Sequence, residues 1–408
     1  MLDLYKPQTV DEVLPIVEAA LEAKSPLEVL GRASKRALGR PSQTAAGLDL
    51  SELSGVTLYE PEELVLQALP GTPMAEIQGL LDENRQIMAF EPPDFGALLG
   101  GVSDQGSLGG ALACNLAGPR RLKSGAARDH FLGVEGVSGR GEFFKAGGRV
   151  VKNVTGYDVM KLLAGSYGTL AVMTQITIKV LPRPEKTYSL LLFGLDHHGA
   201  RTAMARALQS PHEVSAAAHL PAGLSGASTV SYVKDSGSSV TAIRVEGPGP
   251  SVQHRSDSLR RELSDLAESE ILHSHNSLTF WREIGNLHPL CGETQRRVWR
   301  LSMPPAQSGA VAERLLEAFP SADLLFDWGG GLLWLGLPPS EDDNHASVRS
   351  ALGSDNGHAT LFKAPETLRA AVPVFQPQAP ALQSLSQRIK GSFDPAGILN
   401  PGRLYQDY

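Results

Sequence analysis

Residues 106–121 read GSLGGALACNLAGPRR, with Gly or Ala at seven of sixteen positions and two arginines at the end. The stretch holds no residue that usually does acid–base work. Three arrangements would strip side chains from a backbone in this way: one helix packed tightly on another, a flexible linker, or a ligand pressed against main-chain N–H groups. Leu108, Leu112 and Leu116 recur at helical spacing, which argues against a linker. Close packing accounts for Gly109 and Gly110, but it calls for neither Asn115 nor the arginines. The ligand reading needs support from elsewhere in the chain.

Size and composition narrow the classes. The chain has 408 residues, large for one core, which predicts two or three domains. Hydrophobic residues make up 42% and charged residues 20%, as in soluble globular proteins. A net charge of -7 argues against a nucleic-acid partner. No apolar run reaches membrane-spanning length, and MLDLYKPQ has no apolar signal core, so the expected location is cytoplasmic. Cys114 and Cys291 are the only cysteines, too few for an iron–sulfur cluster, so any redox chemistry needs another cofactor.

Along the chain, TVDEVLPIVEAALEAK (9–24) predicts a helix with Thr9 and Glu12 as a capping box and an irregular first turn at Pro15. PLEVLG and ELVLQAL (63–69) predict strands, and Thr72 with Pro73 predicts the start of a helix running to Asn84. TQITIKV alternates as a half-buried antiparallel strand does. The Pro-bearing LPRPEK, 181–186, ends a first domain at residue 183. Residues 184–375 have the texture of a smaller α+β domain, with strands at VWRLSMP and LLFDWGGGLLWLGLP. Residues 376–408 form a turn-rich C-terminal segment ending in a strand-like LY. No repeat or low-complexity block is visible.

Nucleotide and metal motifs are absent. GVSGRGEFF has Phe144 where a G-x-G-x-x-G would need glycine, and no G-x-x-x-x-G-K-[ST] occurs. HEVSAAAH (212–219) has the wrong spacing for a zinc pair, and no metal site is expected. Two small-residue loops remain: LGRASKRALG (30–39), just after a strand, and the opening stretch, entering a helical turn. Each could hold a phosphate on bare N–H groups, and each could equally be a tight turn.

Order and spacing then matter. GRASKRALG, PGTPMAEIQGLL, FEPPDFG, the stretch from Gly106 to Gly133, and KNVTGYDVMKLLAGSYGTLAVMTQITIKVLPRP together resemble the FAD-binding domain of the vanillyl-alcohol-oxidase (PCMH-type) family. Within that family ACNLAGPRR, VKNVTGYD, FDWGGGLLWL, NGHAT and NPGRLY resemble the smaller FAD-binding subunits of bacterial glycolate oxidases (glycolate dehydrogenases), over residues 5–405. The resemblance implies an α+β fold, with two subdomains clasping FAD in residues 1–183, a smaller α+β cap in 184–375, and a C-terminal segment returning to the FAD domain. By position it implies that Gly31, Arg32, Ala33, Ser34 and Lys35 form the first pyrophosphate loop. Gly109, Gly110, Asn115 and Gly118 would form the second, with Gly125, Arg128 and Asp129 continuing around the cofactor. Gly168 and Val172 would lie along the adenine half, and Asn400 near the flavin end.

The first loop offers Ser34 and Lys35 where many relatives attach FAD through a histidine, so noncovalent FAD is implied. The sequence has no H-x-G-D-G-N-like run, the metal-binding mark of catalytic subunits of related 2-hydroxy-acid dehydrogenases. The resemblance implies an FAD-dependent 2-hydroxy-acid oxidoreductase working as a subunit, oxidising glycolate to glyoxylate beside a larger FAD-binding subunit and an iron–sulfur subunit. Membrane contact at the inner membrane would come only through those partners. Two alternatives are an FAD-carrying structural or electron-transfer subunit and a stand-alone FAD-dependent oxidase of another small alcohol. No catalytic residue is assigned; Arg282, Arg300 and Arg369 are candidates for a substrate carboxylate by location only. Trp281, Trp299, Trp328 and Trp334 are concentrated in the middle domain and mark an expected partner surface, with about half of them in the core.

Overall fold

The computed structural model describes residues 3–149, 156–340, 342–353 and 357–407. Residues 151–155 of VKNVTGYD and Asn356 of NGHAT lie outside the described residues. The chain forms two compact units, the first from Met1–Leu116, Gly125–Pro182 and Arg369–Tyr408, the second from Ala117–Ser124 and Arg183–Leu368.

In the first unit β1 (Asp3–Tyr5) leads through a 3-10 turn into α1 (Val13–Glu22). Thr9 Oγ1 donates to Glu12 at 3.0 Å, and Pro15 falls in the first turn of α1, where its missing N–H breaks no helical bond. β2 (Leu27–Leu30) and β3 (Ala46–Asp49) pair in parallel, giving a sheet of order β1-β3-β2. β4 (Val56–Glu60) and β5 (Val65–Ala68) follow, then α2 (Met74–Glu83) and β6 (Gln86–Ile87). Thr72 does not cap α2. Its buried hydroxyl donates to Leu69 O at 2.7 Å instead, and Pro73 takes the cap position.

After α3 (Leu108–Ala113) come β7 (Phe131–Ser138), β8 (Phe143–Gly147), β9 (Ala171–Lys179) and β10 (Leu181–Pro182), and a second sheet forms in the order β4-β5-β9-β7-β8. β9 is central and antiparallel to both neighbours, as TQITIKV predicts. Its apolar face is buried, while its polar face is tied across the sheet by Gln67 Nε2 to Thr177 Oγ1 at 3.1 Å and Gln175 Nε2 to Thr57 Oγ1 at 3.2 Å. Between the sheets, Val13 and Val17 of α1 share a core with Leu27, Leu48, Val137, Val172 and Leu399.

The expected strand at the C-terminal LY is a bend, and the strand-like contact lies earlier, where Leu399 bridges Leu27 in parallel. That tail is fixed by a buried pair. Lys390 Nζ meets Asp394 Oδ2 at 2.5 Å and donates to Thr169 O at 2.7 Å and Leu399 O at 3.0 Å, while Asp394 accepts from Ile398 N and Leu399 N. Burial pulls the Lys390 pKa down against the opposing pull of Asp394. Removing one partner of such a pair strands the other, so Lys390→Ala should cost about 3–5 kcal/mol. A denaturation midpoint within error of the parent would contradict this.

The second unit contains a duplication that no sequence repeat announces. β11 (Lys186–Phe193), helix His197–Gln209, β12 (Ala216–Leu220), β13 (Val240–Gly247), helix Gly249–Glu262 and β14 (Ser269–Leu272) make one βαββαβ motif. β15 (Arg297–Ser302), helix Ser308–Ala318, β16 (Asp323–Asp327), β17 (Leu332–Leu337), helix His345–Leu352 and β18 (His358–Lys363) make the other. The strand order β14-β11-β13-β12-β16-β17-β15-β18 sets the two copies edge to edge, joined at His219↔Phe326. Packing carries the repeat, while the residues that do the packing differ. The expectation for the tryptophans fails: Trp281, Trp299, Trp328 and Trp334 are all buried, at 3%, 0%, 6% and 5% exposure, so none forms a surface.

Candidate functional site

β2 delivers the chain into the first small-residue loop at Gly31. Ala33 takes a left-handed φ of 56°, a conformation that costs a non-glycine residue about 1–2 kcal/mol. Among the described residues, the backbone N–H groups of Gly31, Arg32, Ala33, Ser34 and Lys35 donate to no protein acceptor. In the second loop Ser107 caps α3 by accepting from Gly110 N at 3.3 Å, and Gly109 N donates to Pro70 O at 2.9 Å.

The missing side chains of the GSLGG stretch make room for protein. A Cβ on Gly31 would collide with Ser107 Oγ, and one on Gly109 would stand 2.9 Å from Pro70 Cβ. Lys35 reaches across from the first loop to the second, with Nζ 3.3 Å from a Cβ built on Gly106 and 3.9 Å from one on Gly110. The two loops are thus interlocked.

Together they wall a pocket of about 740 Å³, its open mouth included. Gly31, Arg32, Ala33, Ser34, Lys35, Gly109, Gly110, Gly168 and Asn400 line it. The other candidates do not. Val172 faces the core because side chains alternate along a strand, and its neighbours Ala171 and Met173 face the pocket instead. Asn115, at φ 49°, uses its Oδ1 to accept from Arg128 N at 3.1 Å. Gly125 stands where a Cβ would meet Asp129 Oδ2 at 2.8 Å, and that oxygen accepts from Ala126 N. Arg128 is exposed, 3.8 Å from Asp129. Gly118 belongs to the second unit, where its carbonyl accepts from Trp328 Nε1 at 3.1 Å.

The closing arginines of the stretch also belong there. Arg120 forms a buried ion pair with Glu246 at 2.7 Å, and Arg121 lies 4.3 Å over the Trp328 ring. Of the three arginines considered for a carboxylate, Arg300 lies 5.1 Å over that ring, and Arg282 is exposed. Arg369 is buried in the first unit, donating to Gly39 O at 2.7 Å.

The charges of the pocket are uneven. Glu28 neutralises Arg36 through bonds of 2.8 and 2.6 Å. Arg32 and Lys35 form no ion pair among the described residues: Lys35 Nζ has Ser34 Oγ at 3.3 Å, and Arg32 Nε is buried with no partner. Burial pulls the Lys35 ammonium below the usual lysine range, opposed by Cys114 and Asp94. Burial likewise pushes the Cys114 thiol up, against the opposing pull of Lys35 and Arg403. Arg32 and Lys35, beside five backbone N–H groups that donate to no acceptor among the described residues, suit a dianion such as the diphosphate of FAD.

The family model "FAD binding domain" matches residues 4–147. Over 395 residues, 97% of either chain, the protein is 33% identical to glycolate oxidase subunit GlcE of Escherichia coli (strain K12). This chain belongs to the GlcE family. It therefore carries an FAD-binding domain of an oxidoreductase family. The fold of this GlcE-family chain is also that of 4-ethylphenol oxidase from Gulosibacter chungangensis (TM-score 0.74, 16% identity, covering 99% of this chain and 89% of that one). The p-cresol methylhydroxylase structure matches at TM-score 0.71 and 14% identity, covering 99% and 88% of the two chains, which makes the fold PCMH-type. Both small-residue loops fall inside the matched domain, whereas Tyr167, Gly168, Met173, Asn400 and Arg403 line the same pocket from outside it.

Ser107 was not among the sequence candidates; a Ser preceding a Leu-spaced turn is the signal that marks it. Arg403, which donates to three carbonyls of the first loop region, lies in the NPGRLY motif but was not among the candidate site residues.

Among the described residues, no helix is long and apolar enough to cross a membrane.

Proposed function

We propose that the chain is the FAD-binding subunit of a glycolate dehydrogenase complex that oxidises glycolate to glyoxylate, with FAD held noncovalently in the pocket between the two interlocked loops. The observation that carries this reading is the near full-length likeness to GlcE. The first unit serves as the FAD domain, the second as the cap, and the returning tail as part of the cofactor site. FAD, when bound, supplies the acceptor for the hydride leaving the hydroxyl-bearing carbon of glycolate. Arg32, Lys35 and the N–H groups of residues 31–35 hold its diphosphate, while Gly168 and Asn400 close the wall. The partners in this reading are a larger FAD-binding subunit and an iron–sulfur subunit. The assembly is cytoplasmic and meets the inner membrane only through those partners.

The absence of an H-x-G-D-G-N-like run favours a second reading, in which this FAD passes electrons without meeting glycolate. Adding glycolate anaerobically to the purified holoprotein separates the two. Bleaching of the chain's own flavin supports the first, and an unchanged spectrum supports the second.

Noncovalent attachment predicts that acid precipitation leaves yellow flavin in the supernatant. Flavin retained in the pellet would contradict it.

Lys35 makes binding pH-dependent. Its pKa is depressed in the protein without ligand, and a bound diphosphate would raise it. Between the two values FAD binding takes up a proton, and affinity falls as pH rises through the higher one. Calorimetry in buffers of different ionisation enthalpy should register this uptake, and Lys35→Gln should abolish it. Equal uptake by both proteins would remove Lys35 from the site.

A further inference from the structure

We infer that Arg403 is a positioning residue for FAD: the C-terminal NPGR turn latches the first cofactor loop and so sets how tightly the cofactor is held. The inference rests on the assignment of FAD to the pocket.

Arg403 is buried, at 8% exposure. Its Nη2 donates to Lys35 O at 3.2 Å and Arg36 O at 2.9 Å, and its Nη1 donates to Arg40 O at 3.2 Å. Its own carbonyl accepts from Arg40 N at 2.9 Å. Gly39, at φ 76°, lets the loop pass close by: a Cβ there would stand 3.1 Å from Arg403 O and 3.3 Å from its Nε. Three residues earlier, Asn400 Oδ1 accepts from Val29 N at 2.9 Å, and its Nδ2 donates to Tyr167 O at 2.8 Å. Asn400 and Arg403 thereby tie the end of β2, the loop carrying Lys35, and the Tyr167–Gly168 wall.

A guanidinium is suited to this task because its planar fork can hold several carbonyls at fixed angles. Lys35 is a flexible side chain that must keep its ammonium in one place. Pinning the backbone carbonyls of Lys35 and Arg36 removes part of the freedom that binding would otherwise have to remove. Arg403 thus acts through Lys35.

The test is a double-mutant cycle on FAD affinity, read by quenching of flavin fluorescence on titrating the apoprotein. Arg403→Gln and Lys35→Gln are each expected to weaken FAD binding roughly tenfold or more, the worth of one or two charged hydrogen bonds. The double variant should be little weaker than the worse single, because both changes remove the same positioned ammonium. Additive losses, or an Arg403→Gln protein that binds FAD like its parent, would overturn the latch. If Arg403→Gln does not fold, Arg403→Lys, which keeps the charge but not the fork, takes its place in the cycle, and the same two results would overturn the latch. A Lys35→Gln protein with unchanged affinity would overturn the pocket assignment itself, which sets that failure apart from failure of the latch.

Discussion

Gly110→Asp is expected to abolish FAD binding, weakening it by about a thousandfold or more, equivalent to about 4 kcal/mol. A Cβ at residue 110 already lies 3.3 Å from Ser107 Oγ and 3.9 Å from Lys35 Nζ. The new carboxylate would lie beside that ammonium, neutralise it, and repel an incoming diphosphate in a partly enclosed site. Arg128→Ala is the matched control, because Arg128 is exposed and lines no part of the pocket. Its loss should change affinity by less than about twofold, as for other surface charges. FAD titration of the two apoproteins, with thermal melts to show that both are folded, gives the comparison. Equal losses would mean that Gly110 serves packing alone.

The second large effect concerns turnover. The isolated chain should reduce an artificial dye with glycolate at a few per cent or less of the rate of the assembled complex. Electrons taken up by a buried flavin must leave it, and Cys114 and Cys291 cannot hold an iron–sulfur relay. Expression of the chain alone and with its genomic neighbours, followed by dye assays and elution volumes, makes the comparison. Full activity from the lone chain would refute the partner requirement and favour a stand-alone oxidase.

The sequence was most informative where backbone conformation or approach dictates residue type. Gly31, Gly109 and Gly110 stand where a side chain would strike a neighbouring element, and such positions read as small-residue loops after a strand or before a helix. β9 was visible because alternation is a local property. Its facing was not: whether Val172 or Ala171 meets the pocket depends on what packs on each side of the sheet, and a one-residue difference reverses the answer. Arg403 escaped notice for a different reason. Its partners Lys35 and Arg36 lie 368 and 367 residues away in the chain, and the NPGRLY motif that contains it does not say what it holds. The duplicated βαββαβ motif was hidden too, since topology can repeat while sequence drifts. Thr72 failed as a cap because a competing carbonyl, Leu69 O, was closer to hand than the helix it precedes.

The short excursion of Ala117–Ser124 into the second unit bears on how such a protein can be recombined. An exchange of residues 183–368 for the corresponding part of another enzyme looks like a single cassette on a linear map. It would leave Arg120 without Glu246 and Arg121 without Trp328, inside a segment still spliced into the host. Breaking a buried ion pair of this kind costs about 3–5 kcal/mol, a large part of the stability of an ordinary domain. Chimeras and natural recombinants must therefore carry eight extra residues from the donor. The two stretches behave as one heritable block although 58 residues separate them in the gene product.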